Sequence, residues 1–174
     1  MSDKLSISEF HFKSMVLVKA WPESEQVTNN TLAKYLNVNS LPNMGNFISQ
    51  DDVYCAVLSP GHIMLMSTHE NRFSDLSELL SPDLAAFIDV SHSRRGLRLQ
   101  GSQSAHLLNK DIAIDLSDKA LPELSVLQSS IHSMGIILLK LNAQDFIIFS
   151  YSSFYQSFYE WVIDSAEEYG YALS

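Results

Sequence analysis

Apolar residues along this chain gather in short runs, set apart by turn residues and by a few stretches of helical spacing. Met15-Val16-Leu17-Val18 is rich in β-preferring residues and predicts a strand. Leu32, Tyr35 and Leu36 follow at helical spacing, with Thr28 and Asn29 as capping candidates for a helix over 30–36. Val53 to Leu58 and His62 to Met66 are apolar runs split by Ser59-Pro60-Gly61, which predicts a β-hairpin. Asn71 is placed to cap a helix whose face is Phe73, Leu76, Leu79 and Leu80, stopped by Ser81-Pro82.

The alternation then repeats. Ala85 to Val90 and Gly96 to Leu99 predict strands, and Gly101-Ser102 opens a helix with Ala105, Leu107 and Leu108. Ile136 to Leu141 and Phe146 to Tyr151 predict a second hairpin around Asn142-Ala143-Gln144-Asp145. A last helix is predicted from Ser153 and Gln156 as a capping box, with Phe154, Phe158, Trp161 and Val162 on one face and Tyr155 beside them. Gln156, Glu160, Asp164 and Glu167 lie opposite, and Gly170 ends the helix. Strand pairs joined by hairpins and separated by helices imply an α+β fold, with mainly antiparallel sheets and helices on one side. The expected organisation is a flexible N-terminal segment over 1–12 and a single domain over 13–174. Its two similar lobes span about 13–84 and 85–174.

Composition changes this picture little. Hydrophobic residues make up 46% of 174, enough for a sizeable core. Charged residues are 18%, below the roughly 25% of an average domain, which hints at a surface covered by a partner. The net charge of −9 argues against nucleic acid, since Arg94, Arg95 and Arg98 form too small a basic cluster to hold phosphates. The single cysteine, Cys55, lies in an apolar run and implies a buried thiol and a reducing compartment. The first apolar run is far shorter than a signal-peptide core or a membrane span, so the expected location is the cytoplasm.

Phosphate-binding and nucleophile-elbow motifs are absent, as are paired histidines or cysteines at metal-ligand spacing. His62 and His69 are expected at the surface, and Asp51-Asp52 and Glu167-Glu168 as solvated charges. Cys55 would act as a nucleophile only with a histidine beside it. Free N–H groups at Gly101-Ser102-Gln103-Ser104 could bind an anion or serve as an ordinary helix start. One polar cluster stands out. Asp89, Ser91, His92, Arg94 and Arg95 follow directly on an apolar strand. Such a cluster can hold a partner or ligand, because arginine grips a carboxylate with two hydrogen bonds. It can equally be a strand exit closed by internal Asp–Arg or Ser–His hydrogen bonds.

That same segment carries a family resemblance. Ala85-Ala86-Phe87-Ile88-Asp89-Val90-Ser91-His92-Ser93-Arg94, followed by Leu97-Arg98-Leu99-Gln100-Gly101, resembles the signature of sarcosine oxidase gamma subunits. Asn37 to Asn43, Leu58 to Leu65, Ala105 to Leu108 with Asp115-Leu116, and Ser153-Phe154 with Trp161-Val162 and Glu168-Tyr169-Gly170 are similar to further family segments in the same order. The chain departs from the family at Lys110-Asp111, where a Gly-Cys step is frequent, and at Pro122-Glu123-Leu124, where a Pro-x-Gly turn is frequent.

The resemblance implies a fold related to the folate-binding aminomethyltransferases. It also implies a place in a heterotetrameric complex that demethylates sarcosine to glycine and passes the one-carbon unit to folate. Alpha, beta and delta subunits would be the partners, and the isolated chain is expected to self-associate. FAD, FMN, NAD and folate are implied for the complex, with zinc in its smallest subunit. No cofactor, metal or catalytic residue is implied for this chain, whose expected role is accessory. The alternatives are a folate-binding one-carbon protein, or a small ligand-binding regulatory module built on His92, Arg94 and Arg95.

Overall fold

The segment expected to be flexible contains the first strand, β1 (Ser6–Phe10), in the computed structural model, which describes residues 4–173. Leu5 and Ile7 are buried there, between polar neighbours. Strict alternation reads as polar in composition, yet it suits a strand with one face in a core. The chain divides into two compact units, Phe12–His92 and the combination of Met1–His11 with Ser93–Ser174. The division between the units falls at 92, and the described residues 4–11 of the N-terminal segment group with the second half.

In the unit Phe12–His92 the order is β2 (Ser14–Ala20), α1 (Glu25–Tyr35), β3 (Phe47–Gln50), β4 (Val53–Ser59), β5 (His62–Ser67), α2 (Leu76–Leu79) and β6 (Ala85–Asp89). The sheet runs β3-β4-β5-β2-β6, antiparallel throughout. Alternate residues Val16 and Val18, Val53 and Cys55, and Ile63 and Leu65 form one core with Leu32 of α1 and Leu76 of α2.

Two expectations fail here. The helix α1 starts five residues before Asn30, behind a 3₁₀ turn at Pro22–Ser24, so Thr28 is a buried interior residue and not a cap. Its hydroxyl reaches the Leu84 carbonyl at 3.4 Å, and that of Ser24 reaches the same oxygen at 2.5 Å. Asn71 takes a left-handed φ of 54° and does not cap, and the helix shrinks to one turn with Leu79 exposed.

The other unit adds to β1 the elements β7 (Arg94–Gln100), α3 (Ser104–Leu108), β8 (Ser125–Ile131), β9 (Met134–Asn142), β10 (Asp145–Tyr151), α4 (Tyr155–Ala166) and β11 (Ala172–Leu173). Its sheet runs β11-β1-β7-β10-β9-β8, and only the β1–β11 pair is parallel. Strand–helix–three strands–helix is the plan of both halves. The place that β6 takes beside β2 is filled beside β7 by β1, from the far end of the sequence. The core again uses alternate residues: Leu97 and Leu99, Ile136 and Leu138, Phe146 and Ile148, packed on Leu107, Leu108 and α4. The intervening Ile137, Leu139, Ile147 and Phe149 are buried too, which is why these strands read as continuous apolar runs.

The capping box does not form. A 3₁₀ turn at Ser152–Phe154 precedes α4, no side chain caps either element, and Gln156 donates to Glu160 instead. The buried stripe of α4 is Tyr155, Phe158, Val162 and Ala166, at helical period. Phe154 sits one residue too early to join it and is exposed, while Trp161 is half-buried.

Candidate functional site

The polar cluster divides between the two units, since the chain leaves one between His92 and Ser93. Asp89 and Ser91 are brought together. Asp89 Oδ1 accepts from the Ser91 hydroxyl at 2.6 Å and from the Ser91 N–H at 2.9 Å. The Ser91 oxygen in turn accepts from the Met15 N–H at 3.0 Å, which ties the exit of β6 to the start of β2. These bonds hold the Asp89 carboxyl below the ordinary aspartate range, the Ser91 hydroxyl first, then its N–H, with His92 a lesser influence. Ser91 is buried and His92 is exposed. Asp89 and Ser91 thus form a local turn in which the short polar side chains replace lost ladder bonds.

Arg94 and Arg95 belong to β7, where neighbouring residues point to opposite faces. The Arg94 guanidinium lies 4.1 Å from the centre of the Tyr151 ring, its cross-strand partner on β10. Arg95 lies 4.0 Å from the Tyr155 ring and 3.3 Å from a Glu9 carboxylate oxygen. Burial, with the nearby negative charge of Glu9, pushes the Tyr155 phenol up to about 12. Among the described bonds Asp89 and Ser91 pair with each other and with Met15, while the two arginines face aromatic rings. That Tyr151 and Tyr155 would face these arginines was not visible in the sequence, because cation–π partners come from strands and helices far along the chain.

Arg98 makes the shortest described ion pair of the unit. Its Nε and a terminal nitrogen meet the two Asp145 oxygens at 2.9 and 2.6 Å, and Gln100 adds a bond at 3.1 Å. This fork clamps β7 to the first residue of β10. Gly101 follows with φ +119°, and a Cβ there would stand 2.5 Å from the Lys4 carbonyl oxygen. The N–H groups of Gly101 and Gln103 donate to the carbonyls of Gln144 and Lys4. The turn that could have cradled a phosphate is filled by the chain's own backbone, and its helix has only five residues, so it does not fit a dinucleotide.

Sequence reasoning also missed Lys140, which is fully buried on β9. Its Nζ donates to the carbonyls of Leu116 and Leu121 and to Asp118 Oδ1, each at 2.7 Å. A lysine inside the apolar run Ile136 to Leu141 was the available signal. Cys55 is fully buried, and burial alone pushes its thiol up to about 12, so the nucleophile reading has no activated thiolate behind it. Among the described residues no three His, Cys, Asp or Glu side chains converge as metal ligands would, and no helix is long and apolar enough to cross a membrane.

The architecture has solved counterparts. A chain of the heterotetrameric sarcosine oxidase from Corynebacterium sp. U-96, solved in complex with pyrrole 2-carboxylate, superposes with a TM-score of 0.83. The match is 23% identical and covers 94% of this chain and 84% of that one. The fold is that of a sarcosine oxidase chain. The glycine cleavage system aminomethyltransferase T from Bartonella henselae shares it at a TM-score of 0.67 and 15% identity, over 99% of this chain and 48% of the enzyme. This chain therefore spans about half of the aminomethyltransferase. No family model and no curated protein matches the sequence. The α+β fold with two antiparallel-dominated sheets, and its likeness to an aminomethyltransferase fold, stand as expected.

Proposed function

We propose that this chain is a non-catalytic accessory subunit, of the gamma kind, in a heterotetrameric sarcosine oxidase. One observation carries the reading: the likeness to a chain of such an oxidase runs almost end to end on both sides, 94% and 84%. Two features support it. The polar residues that carry the family resemblance, Asp89, Ser91 and Arg98, are engaged in bonds that hold the fold together. The one glycine turn suited to a phosphate is closed by Lys4 and Gln144. In this reading FAD, FMN, NAD and folate belong mainly to the larger partner subunits, and the oxidation of a C–H bond is their flavin chemistry. The complex works in the cytoplasm, and this chain self-associates when its partners are missing.

The test is reconstitution with the other three subunits. The purified chain should be colourless and consume no oxygen with sarcosine, with or without FAD. Omitting it should lower the yield or lifetime of the complex. A stoichiometric flavin band, turnover by this chain alone, or a complex indifferent to its omission would refute the reading. The fold shared with half of an aminomethyltransferase keeps a folate-binding one-carbon protein as the second reading. Saturable tetrahydrofolate binding by the isolated chain, measured by calorimetry, would favour it.

A further inference from the structure

Three arginines lie on β7, and two of them meet a carboxylate of their own chain. Arg95 pairs with Glu9 at 3.3 Å and Arg98 with Asp145 at 2.6 Å. Arg94 meets none among the described residues, although the chain carries 20 acidic residues against 11 basic ones. Like Arg95 it lies over an aromatic ring, that of Tyr151, at 4.1 Å. Burial pulls its pKa below the ordinary arginine value, with Tyr151 opposing, so the cation sits partly out of water without an anion. The 3₁₀ turn Ser152–Phe154 starts beside it, where the Ser152 N–H donates to the carbonyl of Ser93. Tyr151 is 46% exposed, and Phe154, three residues on, is 49% exposed. Arginine, tyrosine and phenylalanine are the residue types concentrated at the centres of protein interfaces.

We propose that Arg94, Tyr151 and Phe154 form a docking surface for a protein segment that presents a carboxylate side chain next to an apolar one. The ring of Tyr151 lies against the guanidinium, and a carboxylate can still accept two of its remaining N–H groups. Pre-set orientation lowers the ordering cost of binding. The exposed rings distinguish the occupant from a small free anion, which would leave them in water. Arg95 with Glu9 and Tyr155 shows the same assembly completed within the chain, and at Arg94 the missing member is the carboxylate. That the segment belongs to another oxidase subunit rests on the accessory-subunit reading; the surface itself does not.

The experiment has two arms. In the first, full-length chains carrying Arg94→Met, Arg94→Lys or Arg94→Glu are reconstituted with the other three subunits, after melting curves show that each variant folds. Arg94→Met and Arg94→Glu should weaken association by roughly 30-fold or more, as for loss of an interface anchor. Arg94→Lys should fall between them and wild type, since it keeps the charge but loses the fork. In the second arm the isolated, nitrogen-labelled chain is titrated with the peptide acetyl-Leu-Glu-Phe-Glu-Leu-amide and with its glutamine twin. The Arg94 Nε signal should move with the glutamate peptide only, and that peptide should not bind Arg94→Met. If wild type fails to join the oxidase subunits while the glutamate peptide still moves Arg94, the accessory-subunit reading falls and the surface stands. Assembly of Arg94→Glu at wild-type strength, or an Arg94 signal indifferent to glutamate against glutamine, overturns the surface.

Discussion

Replacing Lys140 with methionine tests the least expected feature of the fold. Methionine matches most of the lysine stem, so the cavity contribution is small, although the Nζ contact with the Phe146 ring at 6.0 Å is lost. In the native protein the cost of burying the ammonium is already offset by three oxygens at 2.7 Å. The substitution removes both sides of that balance and leaves its acceptors behind. Asp118, with its side chain 59% exposed, returns to water and contributes little. The buried Leu116 carbonyl loses its donor outright and the half-buried Leu121 carbonyl loses part of its satisfaction, at about 1–3 kcal/mol for a full loss. The expected net loss is about 2–3 kcal/mol. Asp118→Asn keeps the ammonium and both carbonyls, and should cost no more than about 1 kcal/mol. Urea unfolding read from Trp161, which packs in the same unit as Lys140, gives the difference as a shift in midpoint at constant slope. Hydrogen exchange over residues 116–121 should accelerate in Lys140→Met alone. A Lys140→Met protein as stable as wild type, or one less affected than Asp118→Asn, would refute the reasoning.

Gly96→Ala should destabilise by about 1–3 kcal/mol, because its Cβ would run into the Phe149 ring and stand 2.8 Å from the Ile148 carbonyl; an unchanged melting temperature would show that the strand can yield. Cys55 should resist a thiol reagent in the native protein and react once unfolded, given its full burial and its raised pKa; rapid native labelling would contradict both. Asp52 and Asp89, held by Ser67 and Ser91, have carboxyls below the ordinary 3.8, so the stability they contribute is present above that value and is lost as pH falls through their folded values. Ser67→Ala and Ser91→Ala should therefore flatten the acid limb of stability below about pH 4, and an identical acid limb in both variants would show these bonds do not matter.

Much of this architecture is written in local pattern. The runs at Val53 to Leu58 with His62 to Met66, and at Ile136 to Leu141 with Phe146 to Tyr151, became the two hairpins that were expected of them. Other elements were hidden for physical reasons. β8 carries Gln128, Ser129 and Ser130 and lies at a sheet edge, where one side needs little apolar surface. β1 alternates and so looks polar in bulk. The start of α4 slipped because the 3₁₀ turn at Ser152–Phe154 took up the residues that would have capped it. In the candidate site, the cluster from Asp89 to Arg95 was visible, but not that the chain changes units within it.

By itself the sequence determined what depends on neighbours a few residues apart. That covers the α+β class, the hairpins, and the buried face of the last helix at Phe158 and Val162. Only the tertiary structure decided what depends on residues far apart. It paired β1 with β7 across 90 residues of register, from Ser8 against Arg98. It set Lys140 beneath the 116–121 loop, and it supplied acids to Arg95 and Arg98 while leaving Arg94 with a ring alone. Periodicity reports which face of an element is apolar, since that follows from backbone geometry. Which distant side chain meets that face is set by sheet order and register, and strands adjacent in a sheet need not be adjacent in the chain.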